Sequence, residues 1–87
     1  MAEKNWKLYI LQTKSGKLYT GVTVDLEKRF NEHLFSSRGA KFFRLDKPQK
    51  IVYVEILPDR SAAQKREAQI KKMSRSQKLN LVFSQKI

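Results

Sequence analysis

Leu8-Tyr9-Ile10-Leu11-Gln12-Thr13-Lys14-Ser15-Gly16-Lys17-Leu18-Tyr19-Thr20-Gly21-Val22 reads as two strands folded around a tight turn. Leu8 to Leu11 is an apolar run of strand length, and Leu18 to Val22 is rich in β-formers. Lys14-Ser15-Gly16 between them carries turn chemistry. A type I turn over Lys14 and Ser15, followed by Gly16 at positive φ, closes a three-residue loop with a G1 bulge. That loop fixes the register. Thr13 pairs with Lys17, Leu11 faces Tyr19, and Tyr9 faces Gly21, so both tyrosines point to one side of the sheet.

Working outward, Thr23 or Asp25 can start a helix that runs to about Phe35. Asp25 and Glu27 suit the positive end of its dipole. Leu26, Phe30 and Leu34 form a stripe at i, i+4 and i+8, with His33 inside it and Arg29 at its edge. Ser36 to Gln49 reads as a long connection in which Arg38, Lys41, Arg44 and Lys47 are interleaved with Phe42 and Phe43. It fits an exposed loop with phenylalanines tucked into the core, or an arm that grips a phosphate backbone. Ile51 to Leu57 is a third strand, ended by Pro58 and Asp59. Ser61-Ala62-Ala63-Gln64 has the form of a capping box, which starts a helix at Ser61 that continues to about Met73. Ser74-Arg75-Ser76 breaks it, and a last short helix or turn covers Gln77 to Phe83. The order is β-β-α-β-α-α: one α+β domain with a small antiparallel sheet, spanning residues 1–87 with its core at about 6–83.

Composition narrows the function. The chain has no cysteine and one histidine, which excludes disulfides, thiolate zinc sites and multi-histidine metal sites. A metal here is held mainly by oxygen, which favours Mg²⁺ or Mn²⁺. No stretch approaches the roughly 18 apolar residues of a membrane span, and no signal-peptide run is present, so the expected compartment is the cytoplasm. Nineteen Lys and Arg against eight Asp and Glu give +11. A surplus of that size attracts polyanions, nucleic acid before an anionic membrane, since no long basic amphipathic helix is present. Lys41, Arg44, Lys71, Lys72, Arg75 and Lys78 are the expected phosphate contacts.

One acid is out of place. On the wheel of the helix after the third strand, Glu67 falls with Ala63 and Ile70, away from Lys65 and Lys72. It reads either as a structural ion pair, with Arg29 as a candidate partner, or as a hard-metal ligand facing a cleft. His33 reads either as a satisfied core residue or as a proton carrier. Arg, His and Glu near two tyrosines suit phosphodiester chemistry. Arginine clamps a phosphate, a metal offsets charge on the leaving oxygen, and tyrosine or histidine moves a proton.

Lys7-Leu8-Tyr9, followed ten residues later by Tyr19-Thr20-Gly21, together with Arg29, His33 and Glu67, resembles the GIY-YIG endonuclease superfamily. The resemblance covers about Leu8 to Val82. It is strongest to small stand-alone bacterial proteins similar to the excinuclease nuclease domain, through Gly39-Ala40-Lys41 and Arg66 to Lys72. It implies a three-stranded antiparallel sheet flanked by helices. It further implies Glu67 as the single ligand of one Mg²⁺ or Mn²⁺, Arg29 on the scissile phosphate, Tyr19 as or assisting the general base with Tyr9 beside it, and His33 sharing proton transfer. Asn80 lies near a supporting Asn of some relatives. The implied reaction hydrolyses DNA and leaves a 5′-phosphate and a 3′-hydroxyl. It is structure-selective or loosely specific, in repair or processing. Lys7 stands where the first motif has Gly, Leu8 and Thr20 stand where the motifs have Ile, and Val22 stands where excinuclease relatives carry Lys.

Two functions therefore compete: a metal-dependent endonuclease, with DNA favoured over RNA, and a non-catalytic nucleic-acid-binding module on the same fold. The inward acid favours the enzyme, since binding alone does not need it.

Overall fold

The computed structural model describes residues 5–35 and 46–85. The elements are β1 (Trp6–Thr13), β2 (Leu18–Thr23), α1 (Leu26–Phe35), β3 (Pro48–Leu57), α2 (Arg60–Lys71) and α3 (Arg75–Ser84). The strands form one antiparallel sheet in the order β2-β1-β3. This is the small α+β fold expected. β1 is central, and its run Leu8 to Leu11 is buried on both faces.

The hairpin closes as its turn chemistry dictates. The Thr13 amide donates to the Lys17 carbonyl (2.9 Å), the Gly16 amide donates to the Thr13 carbonyl (3.0 Å), and Gly16 has φ of 95°. Leu11 pairs with Tyr19 and Tyr9 with Gly21. A carboxylate pins the turn: Asp46 accepts from the Thr13 hydroxyl (2.7 Å), the Ser15 amide (3.2 Å) and the Ser15 hydroxyl. Those donors hold the Asp46 carboxyl below its ordinary range.

The sheet sorts its side chains into two clusters. Leu8, Ile10, Tyr53, Ile70 and Val82 pack on one face with Leu18, Val22, Met73 and Leu81. Tyr9 and Leu11 pack on the other with Tyr19, Leu26, Phe30 and Ile51. β3 reaches both through a register shift: Ile10 pairs with Tyr53 but Leu11 with Ile51, so Val52 is an extra residue. Strict alternation would place Ile51 and Tyr53 on one face, and the bulge sends them to opposite faces.

α1 begins where expected. The Asp25 side chain accepts from the Lys28 amide (3.1 Å), and the Asp25 amide donates to the Thr23 hydroxyl (3.2 Å). Two expectations are corrected. α2 is capped by Asp59, which accepts from the Ala62 amide at 2.8 Å, so Ser61 lies inside the first turn and its capping box does not form. Asp59 comes first in the chain and is an equally good cap, so the helix starts at the earlier residue. Ser74 does not merely break the chain. It caps α3 in a full capping box with Gln77, and α3 extends beyond the expected Gln77 to Phe83.

At the other end of α3, the Gln85 side chain accepts from the Val54 amide (3.1 Å) and donates to the Val54 carbonyl, which closes part of the outer edge of β3. Among the described residues, no helix is long and apolar enough to cross a membrane.

Candidate active site

The hairpin register places Tyr9 and Tyr19 on the face covered by α1. Tyr9 is buried, and its ring lies over Gly21. A Cβ built on Gly21 would sit 2.5 Å from the Tyr9 hydroxyl, so the second glycine of the hairpin is what admits the phenol. The hydroxyl meets the Arg29 guanidinium, carried by α1, in a hydrogen bond. Burial, helped by Tyr19 and Glu67 and opposed by Arg29, pushes the Tyr9 pKa up to about 12. Tyr9 therefore holds its proton at neutral pH, and its oxygen accepts from the guanidinium.

Arg29 also pairs with Glu32 at 3.1 Å, one helical turn away and partly exposed. This answers the expectation of an Arg29–Glu67 pair, since Glu32 at i+3 is the closer acid. Desolvation works against the Arg29 charge, but its bonds to Glu32 and Tyr9 raise its pKa overall.

Glu67 sits half-buried on α2 between Ala63 and Ile70, with its side chain 23% exposed. It bonds to Lys71 at 3.2 Å on the same helix and lies near enough to Tyr9 to act on its ionisation. The structure thus brings Tyr9, Tyr19, Arg29 and Glu67 to one neighbourhood from β1, β2, α1 and α2. His33 lies in α1, but its side chain is outside what the structure describes. Lys41 and Arg44 lie outside the described residues. Asn80 is exposed on α3.

Among the described residues, no three acidic or histidine side chains converge. Glu67 is the half-buried carboxylate near Tyr9 that could hold a metal there. That donor set fits a hard divalent ion that keeps most of its waters and takes its remaining oxygen from a substrate phosphate.

The basic residues follow from Glu67. Lys71 is one turn on, and Lys72, Arg75 and Lys78 continue through the α2–α3 junction. Arg75 donates to the Gly16 carbonyl at 3.0 Å, and a groove there is lined by Lys17, Leu18, Arg75 and Lys78. Lys17 was not among the expected contacts. Its place opposite Thr13 in the hairpin is the signal that could have found it.

A second feature also lay unread. A cleft of about 440 Å³ opens beside Arg29, lined by Trp6, Val22 and Val24 on the strand side and by Lys28 and Glu32 on the α1 side. Its signal was the position of the single tryptophan, one residue ahead of the first motif.

With this geometry, comparison with known proteins is informative. The model of the GIY-YIG catalytic domain matches residues 5–80. A UPF0213 protein of Photorhabdus laumondii is 44% identical over the whole of this chain and 83% of its own length. Another, of Syntrophus aciditrophicus, is 48% identical over 91% of this chain and 90% of its own. The solution structure of a UPF0213 protein from Bacillus halodurans superimposes with a TM-score of 0.61 at 36% identity, covering 93% of this chain and 85% of that one. A solution structure from E. faecalis gives 0.66 at 34%, covering 94% and 86%. With fold, motif spacing and relatives in agreement over nearly the full length, the chain belongs to the GIY-YIG nuclease family, in its branch of small stand-alone UPF0213 proteins.

Proposed function

We propose that the chain is a metal-dependent endonuclease that hydrolyses DNA phosphodiester bonds at the Tyr9–Tyr19–Arg29–Glu67 cluster. The observation that carries this reading is that one protonated tyrosine, Tyr9, lies within reach of both Arg29 and the half-buried carboxylate of Glu67, inside a chain of charge +11. Arg29 exchanges Glu32 for a phosphate oxygen, a trade open to it because both side chains are partly exposed. Tyr9 keeps its proton and orients the phosphate or the attacking water. Tyr19, less buried on the same face, relays the proton of that water: its oxygen takes the proton as its own phenolic proton passes on to His33. Glu67 holds one Mg²⁺ or Mn²⁺, which when bound offsets charge on the leaving oxygen. Lys71, Lys72, Arg75 and Lys78, with Lys41 and Arg44, carry the flanking backbone.

One observation favours the rival binding module: Lys71 already neutralises Glu67. The deciding experiment compares the parent with Glu67→Gln on duplex, branched and single-stranded DNA, with Mg²⁺ or Mn²⁺ against chelator. The parent is expected to cut only with the ion. The variant keeps its fold and its DNA affinity and loses cleavage by about two orders of magnitude or more. A parent that binds but never cuts makes the chain a binding module. Contact along the basic path is read from salt dependence: Arg75→Gln should lower the log–log slope of affinity against salt by about one unit.

A further inference from the structure

Of the cleft beside Arg29 the mechanism above uses Arg29 and Glu32 alone, and its strand-side wall points to a ligand. Trp6 supplies an indole from the first residue of β1, and Val22 and Val24 supply apolar surface. Arg60 lies over the indole at 5.9 Å from the ring centre and does not line the cleft, so it steadies the ring without filling the space. The two carboxylates on the α1 side are already engaged. Asp25 accepts from the Lys28 amide, and Glu32 pairs with Arg29. What remains is the Trp6 indole and the apolar methyl groups of the two valines, with Lys28 and Arg29 lining the α1 side. The volume, about 440 Å³, falls within the range of small-ligand sites, roughly 300–1,000 Å³.

We infer that this cleft receives an unpaired nucleobase, stacked against Trp6, from a nucleotide flanking the phosphate held by Arg29. The inference rests on the nuclease reading for the position of that phosphate. A base is planar and uncharged, which suits the indole and the two valines, while the phosphates on either side of it meet Lys28 and Arg29. A base inside a duplex cannot enter, since it is stacked and paired. The cleft therefore selects substrates that carry a single-stranded segment beside the cut.

Trp6 is the only tryptophan, so its emission reports on the site directly. The experiment titrates the full chain, with chelator so that nothing is cut, with a short oligothymidylate and separately with a blunt duplex of equal length. Labelled probes give affinities by anisotropy. Oligothymidylate is expected to quench Trp6 emission. Trp6→Leu should weaken single-strand binding by about fivefold or more while leaving duplex binding within about twofold, and Trp6→Phe should restore most of the loss. Unchanged Trp6 emission at saturating oligothymidylate overturns the inference, as does equal weakening on duplex and single strand. If Trp6→Leu does not fold, the quenching and the Trp6→Phe affinities decide. The nuclease reading fails separately. Quenching without metal-dependent cleavage of any DNA keeps the base site and removes the enzyme, and cleavage without quenching does the reverse.

Discussion

The two faces of the sheet use the same three strands and end on different chemistry. On the face under α2 and α3, Leu8, Ile10, Ile70 and Val82 close on one another. Three polar groups there are tied together: the Tyr53 hydroxyl donates to Glu55 at 2.8 Å, and Arg66 donates to the same carboxylate at 2.9 Å. On the face under α1, Tyr9, Leu11, Leu26 and Phe30 are as apolar in their bodies, but the Tyr9 phenol delivers its hydroxyl to Arg29 and the neighbourhood of Glu67. One face thus ties a tyrosine, a glutamate and an arginine to one another, and the other brings a buried phenol to an arginine near a half-buried carboxylate. The difference lies in what surrounds a tyrosine rather than in tyrosine itself, for Tyr53 and Tyr9 sit on strands of one sheet.

The largest expected break in this contrast is Glu67→Gln. It should abolish cleavage while leaving the melting temperature within about 2 °C, because an i,i+4 pair with Lys71 contributes only about 0.2–0.5 kcal/mol. Next is Gly21→Ala, which drives a methyl group into the buried Tyr9 phenol. Overpacking of this kind costs roughly 1–3 kcal/mol, and it also moves the hydroxyl off Arg29. Melting and cleavage should fall together, and a variant with parental melting and cleavage would show that the ring is free to shift.

A smaller and opposite effect is expected on the core face. Thr20 is buried there, and its hydroxyl is the buried side-chain group without a hydrogen-bond partner among the described residues. Thr20→Val keeps the shape and removes the unsatisfied group. A gain of about 1 kcal/mol is expected, read as a melting temperature higher by roughly 4–8 °C. A lower melting temperature would mean that the hydroxyl is bonded in solution.

The finest test is alkaline titration of tyrosinate absorbance. With its pKa near 12 instead of 10, Tyr9 should ionise late, and Tyr9→Phe should remove that late component. The folded state holds this proton more tightly than the unfolded chain. The stability linked to it is therefore present below pH 10 and lost as pH rises from 10 toward 12.

The hairpin was legible in full because Gly16 permits one turn type and the turn sets the register of every later pair. That alone placed both tyrosines on one face. The start of α2 was misread because Asp59 and Ser61 are both good caps, and local sequence does not rank them. α3 was under-read because Ser74 looks like a breaker until its bond with Gln77 is seen. At the candidate site, the convergence of Glu67 with the tyrosines rests on packing between elements far apart in sequence. The ion-pair partners of Arg29 and Glu67, by contrast, were one helical turn away in each case.

The Gln85 side chain on Val54 has a consequence for how copies of the chain meet. β3 is an outer strand, and the amide and carbonyl of Val54 are the groups through which a foreign strand would add to it. Gln85 occupies both, imitating one residue of a neighbouring strand. The residue that follows the last helix thus covers one link of the open edge. A chain trimmed before Gln85 would offer an open edge beside the exposed Ile56, and mutual repulsion from a charge of +11 would be left to keep molecules from stacking sheet to sheet.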